Sequence, residues 1–124
     1  MNINKEIKIS VVTPVLNCVN SIRSTIESVL QQSHTNVEYI IIDGGSTDGT
    51  LDIIKEYQDK VDLILTGKDR SIADAMNKGM NKATGLTIGI LNADDTYLLD
   101  TLREVCKSYE RYPNAVLHLS LIHI

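Results

Sequence analysis

Hydrophobic residues recur along this chain in two alternating rhythms: short β-branched runs, and longer stretches with apolar positions three or four apart. The first rhythm predicts strands over Ile7 to Thr13, Val37 to Asp43 and Val61 to Thr66, and a fourth from Leu86 to Leu91. Three consecutive isoleucines, Ile40 to Ile42, imply burial on both faces, as in a parallel sheet. The second rhythm predicts helices. Val19, Ile22, Ile26, Val29 and Leu30 share one face, as do Leu51, Ile54 and Tyr57. Ser71 to Thr84 presents Ile72, Ala75, Met76, Gly79, Met80 and Ala83, with Gly85 as its C-terminal stop. A last helix carries Leu98, Leu99, Leu102, Val105, Cys106 and Tyr109 before Tyr112-Pro113-Asn114, and a fifth strand is expected from Ala115. Pro14 reads as the stop of the first strand. The alternation gives an α/β fold, a mostly parallel sheet with flanking helices of Rossmann-like type.

Composition narrows the partners. The chain has 124 residues, enough for one domain with a real core, and 12 basic against 16 acidic residues give a formal charge of −4. No basic run exists and Phe and Trp are absent, so neither phosphate-backbone binding nor base stacking points to nucleic acid. No apolar run reaches membrane-spanning length, and Met1 to Glu6 lacks the apolar core of a signal peptide, so a cytosolic protein is expected. Cys18 and Cys106 lie in apolar helical patterns and read as buried free thiols.

Parallel α/β sheets bind ligands beyond the carboxyl ends of their strands. Here those ends are Thr13-Pro14-Val15-Leu16-Asn17, Asp43-Gly44-Gly45-Ser46, Gly67-Lys68-Asp69 and Asn92-Ala93-Asp94-Asp95, three of which carry Asp. Neither a Walker A loop nor a G-x-G-x-x-G fingerprint is present. An edge this acidic can hold a phosphate through a hard divalent cation, Mn²⁺ or Mg²⁺, which makes a nucleoside diphosphate the economical ligand. Plainer roles stay open: Asp94 and Asp95 as a turn and helix cap, Asp43 as a turn cap, Asp74 and Asn77 as surface or packing residues.

Four segments resemble the N-terminal half of the family 2 glycosyltransferases, which have the GT-A fold: Ser10 to Asn17, Ser28 to Ser33, Glu38 to Thr50 and Leu91 to Asp95. Asp74-Ala75-Met76-Asn77-Lys78-Gly79 is similar to a segment of members that build bacterial surface polysaccharides. The resemblance implies a nucleotide-sugar-binding domain over residues 1–116, with Pro14, Val15, Leu16 and Asn17 lining base and ribose. It implies that Asp43 belongs to the base-recognition turn and Asn77 to the nucleotide-sugar contacts. Asp94 and Asp95 match the DxD-type element, with Asp94 near ribose or diphosphate and Asp95 the direct ligand of Mn²⁺ or Mg²⁺. The implied partners are a nucleoside-diphosphate sugar and, for the intact enzyme, a glycan or lipid-linked acceptor at the cytoplasmic face of the inner membrane.

The chain departs from the family at three positions. Gly44 replaces a second aspartate, Leu16 stands where an aromatic is common, and Asn92 opens the DxD element. The general base that deprotonates the acceptor is expected in a C-terminal half outside this truncated sequence. Leu119 to Ile124 resembles translated sequencing-adapter read-through, so residues 117–124 read as a foreign tail, with an apolar edge strand as the alternative. The other function class is a non-catalytic α/β binding module that keeps the fold without turnover; a nucleotidyltransferase lacks its expected Gly/Arg/Lys-rich loop here.

Overall fold

In the computed structural model the described residues are 7–68, 71–114 and, as backbone only, 122–123. Four parallel strands form one sheet in the order β3-β2-β1-β4: β1 (Ile9–Val15), β2 (Val37–Asp43), β3 (Leu63–Thr66) and β4 (Thr87–Ile90). Helices α1 (Ile22–Leu30), α2 (Thr50–Glu56), α3 (Ile72–Lys82) and α4 (Thr101–Arg111) connect or follow them. A two-residue strand β5 (Thr96–Tyr97) pairs antiparallel with β6 (Ile122–His123). The expected start of a strand at Ala115 and residues 117–121 and 124 of the expected tail lie outside the described residues.

Alternation along β1 and β2 divides the core into two layers. Ile9, Val11, Val15, Tyr39 and Ile41 pack against Ile22, Ile26 and Val29 of α1, Ile54 of α2, and Leu102 and Cys106 of α4. Val12, Ile40 and Ile42 face the other way and receive Ala75 of α3. Burial of Ile40, Ile41 and Ile42 to within 1% of full burial is what an interior parallel strand requires.

Several expected boundaries move, each for a physical reason. Pro14 does not end β1, which runs on to pair Val15 with Asp43. Residues 10, 12 and 14 direct their backbone polar groups toward β4, as the Leu91 N–H bond to the Val12 carbonyl shows, and the β4 pairing stops at Val12. The N–H that proline lacks therefore has no ladder partner to lose. Leu98 and Leu99 precede α4 and are exposed, and Val19 and Cys18 precede α1. Both cysteines are free thiols, Cys106 buried and Cys18 half-buried. Ile72 and Met80 are exposed, leaving Ala75 and Gly79 as the buried face of α3. Gly85 does not cap α3, which ends at Lys82. A Cβ at Gly85 would stand 2.6 Å from the Ser10 nitrogen, so glycine is needed for the chain to re-enter the sheet beside β1.

Candidate functional site

The parallel β-α-β connections bring the loops after β1, β2 and β4 and the start of α3 to one edge of the sheet. A cleft of about 80 Å³ lies there, lined by Pro14, Val15, Leu16, Gly44, Ser71, Ile72 and Ala75. Leu16 and Ile72 are 51% and 54% exposed, so two aliphatic side chains stand at the cleft with their surfaces uncovered. Ser71 starts α3 by accepting the Asp74 N–H at its hydroxyl, 3.2 Å away, and so fixes the helix end that lines the cleft.

The first two loops are locked to each other. Asn17 adopts a left-handed backbone (φ 52°), which Asn tolerates better than most residues. Its N–H donates to the Ser46 hydroxyl (2.9 Å), and its Oδ1 accepts from the Thr47 N–H (2.8 Å). The Cys18 N–H donates to Thr50 Oγ1, which donates in turn to Asp48 Oδ1 at 2.5 Å. Asp48 also accepts from the Thr50 and Val19 N–H groups. The Thr50 hydroxyl, chiefly, holds the Asp48 carboxyl below the usual carboxylate range. Asp48 thus crosslinks the loops.

Asp43 ends β2 almost fully buried. Its Oδ2 accepts from the Gly45 and Ser46 N–H groups, both at 3.2 Å, and from the Thr66 hydroxyl at 3.0 Å. Gly45 turns there at φ 98°, a conformation that costs a residue with a Cβ. The turn-capping role is therefore real, but Asp43 Oδ1 is buried with no hydrogen-bond partner among the described residues. A buried carboxylate oxygen in that state is expensive unless a donor reaches it.

After β4, Asn92 to Asp95 form a turn closed by the Asp95 N–H on the Asn92 carbonyl (3.0 Å). Asp94 is exposed and Asp95 half-buried, and neither carboxylate makes a hydrogen bond or ion pair among the described residues. Two adjacent carboxylates with an amide beside them are hard oxygen donors, a set that suits Mn²⁺ or Mg²⁺. No group of three His, Cys, Asp or Glu stands together among the described residues, so the remaining ligands of such an ion would be phosphate and water. Asn77 is exposed on α3 and is not among the residues lining the cleft. The sequence reading missed Ser71, Ile72 and Ala75 as cleft residues. The available signal was topological: β3 ends at the carboxyl edge, so the helix after it begins there.

This is a GT-A-type α/β fold, built on an open parallel sheet. The chain belongs to glycosyl transferase family 2, whose sequence profile matches residues 10–124. It is 36% identical over 99 residues to TuaG of Bacillus subtilis (strain 168), a glycosyltransferase provisionally assigned to teichuronic acid biosynthesis, covering 77% of this chain and 39% of that one. Among solved structures, residues 1–349 of S. aureus TarS in complex with UDP-GlcNAc superpose with a TM-score of 0.80, at 23% identity, over 86% of this chain and 32% of that one. The mannosyltransferase PcManGT of Pyrobaculum calidifontis, in complex with GDP-Man and Mn²⁺, gives a TM-score of 0.77 at 19% identity, over 92% and 34%. The chain thus spans about two fifths of the length of that curated relative. No helix among the described residues is long and apolar enough to cross a membrane.

Proposed function

We propose that this chain is the donor-binding part of a glycosyltransferase that takes a nucleoside-diphosphate sugar and passes the sugar to a polysaccharide or lipid-linked acceptor at the cytoplasmic face of a membrane. The observation that carries the reading is one shared edge: an apolar cleft and, on the same sheet edge, a turn with two carboxylates that no group among the described residues neutralises. Leu16 and Ile72 would hold the base by aliphatic contact, in place of the aromatic stacking that Leu16 forgoes. Asp43 Oδ1, buried and without a donor among the described residues, would accept a base or ribose N–H or O–H. Asp95, with Asp94, would hold Mn²⁺ or Mg²⁺, and such an ion supplies charge to offset the departing diphosphate. Residues 1–116 form this domain in our reading, and deprotonation of the acceptor falls to a carboxylate further along the intact enzyme.

Calorimetric titration of the chain with UDP, GDP and CDP, with and without Mn²⁺, tests the reading. We expect Mn²⁺ to tighten binding of one diphosphate by about tenfold or more, the equivalent of ~1.4 kcal/mol. Asp95→Ala should abolish that gain and leave metal-free binding in place. Binding that ignores both Mn²⁺ and Asp95→Ala would refute the metal bridge.

A further inference from the structure

The segment Ser28-Val29-Leu30-Gln31-Gln32-Ser33 matches the family, yet it takes no part in the cleft or the acidic turn described above. Its polar side chains belong to a longer row. Ser21, Thr25, Ser28 and Gln32 are spaced four, three and four residues apart, which aligns them along one side of α1 and its two ends. Each grips the main chain of the segment that runs from the acidic turn to α4. The Ser21 hydroxyl donates to the Ala93 carbonyl at 2.9 Å. The Thr25 hydroxyl lies 2.9 Å from the Ala93 carbonyl and 2.7 Å from that of Asp95. Ser28 Oγ accepts the Tyr97 N–H at 3.1 Å. Gln32 donates to the Leu98 carbonyl at 2.7 Å and accepts the Leu102 N–H at 2.9 Å.

We propose that this row is a positioning rail that fixes where the Asp94 and Asp95 carboxylates stand, with Thr25 as its main fastening; the proposal rests on those carboxylates being the metal-binding pair. Among the described residues no protein group holds either side chain, so their location is inherited from the backbone beneath them. Ala93 and Asp95 are the residues whose carbonyls the rail takes, and Asp94 lies between two fastened peptides. Counting protons assigns the roles. Ser21 serves Ala93, which frees the single Thr25 proton for the nearer carbonyl, that of Asp95. Thr25 is 0% exposed, so water cannot replace its hydroxyl. Ser21 occupies the N-cap position of α1 but makes no side-chain cap; its hydroxyl goes to Ala93 instead. A serine at an N-cap that forgoes capping is committed to another partner. Because all these contacts are to main chain, α1 sets the position of the turn whatever side chains the turn carries.

The test uses Thr25→Val, Thr25→Ser and the milder Ser21→Ala, which removes the Ala93 contact without removing a cap. Hydrogen–deuterium exchange over residues 92–98 reads the fastening, and Mn²⁺ affinity in the presence of UDP, by electron paramagnetic resonance, reads its consequence. Thr25→Val should speed exchange of the Asp95 and Tyr97 amides and weaken Mn²⁺ binding, each by about tenfold, as expected for loss of one buried hydrogen bond. Metal-free UDP affinity should stay within about twofold, because the cleft does not touch the rail. Thr25→Ser should restore both readouts, and Ser21→Ala should move them in the same direction by about threefold, the effect of a weaker hydrogen bond. Unchanged exchange in both Thr25→Val and Ser21→Ala overturns the rail, as does faster exchange with unchanged Mn²⁺ affinity. A parent chain that binds no Mn²⁺ overturns the metal reading alone, and the exchange measurement then decides the fastening.

Discussion

Gly79 is where the fold can be tested most directly, because α3 lies on β1 through this residue. A Cβ built there would stand 2.2 Å from Val12 Cγ1, with further contacts to Val12 at 3.2 and 3.3 Å. The closest approach is more than 1 Å short of ordinary carbon contact, ~3.5–4.0 Å. Val12 cannot yield: it is 0% exposed, β-branched, and sits on a strand paired on both sides. In Gly79→Ala the whole helix must therefore move off the sheet. Alanine gains ~1 kcal/mol of helix propensity over glycine. Overpacking against a rigid neighbour costs up to ~3 kcal/mol. The net loss should be about 1–2 kcal/mol, seen in urea unfolding as a midpoint ~1 M lower at an unchanged slope. Val12→Ala alone opens a void and destabilises the chain too, but in the double variant the new methyl enters that void. The cycle should therefore return a favourable coupling of at least ~1 kcal/mol. Because Ser71, Ile72 and Ala75 of the displaced helix end line the cleft, UDP affinity should fall in Gly79→Ala and recover in the double variant. A Gly79→Ala chain as stable as its parent, or a cycle with zero coupling, would refute direct packing of α3 on β1.

Substitutions at two further positions probe polar groups on the sheet. Asp43→Ala removes the acceptor of three hydrogen bonds from a site 1% exposed and should lower stability by about 2–4 kcal/mol in the same urea assay; Asp43→Asn should be milder in stability, yet weaken UDP binding by placing a donor where Oδ1 stands. Burial opposes ionisation of Glu38, but the Thr84 N–H, the Ser10 and Thr84 hydroxyls and Lys8 outweigh it and hold the carboxyl below its ordinary 4.5. That stability is fully present above 4.5 and is lost as pH falls through the lower folded value, so Glu38→Gln should flatten the acid limb of stability against pH below about 4.5.

How much of this was legible depends on whether the deciding contact is local. β2 was read to the residue, because an Ile run bounded by Asn36 and Gly44 has only one way to lie in a sheet. Pro14 misled because proline's meaning in a strand depends on which neighbour its missing N–H would face, and the pairing that settles it comes from β4, far along the chain. Leu98 and Leu99 fit a helical period yet lie in the approach to α4. Gln32 draws the Leu98 carbonyl toward α1, and the Ser33 N–H takes that of Leu99. Local propensity carries no trace of such bonds. The site divides in the same way. The carboxyl edge, with Pro14 to Leu16, Asp43 and the Asn92 to Asp95 turn, follows from topology. The α3 residues at the cleft and the hydroxyls that hold the turn do not, since they meet their partners only across the folded sheet.

The junction between β1 and α1 connects the two parts of the site. On one side Asn17, Cys18 and Val19 bind the β2–α2 loop through Ser46, Thr47, Asp48 and Thr50. On the other, Ser21 and Thr25, a turn further on, hold the Ala93 and Asp95 carbonyls. Within nine residues the chain therefore reaches from the loop that follows Gly44 at the cleft to the turn that presents the carboxylates. Each of these bonds joins one main-chain group to one side chain, and none of them uses a side chain at position 44 or 92. That explains how Gly44 and Asn92 can depart from the family pattern without loosening the frame. The identity of the residue at either position alters what the site binds, whereas the spacing between cleft and turn is set by α1.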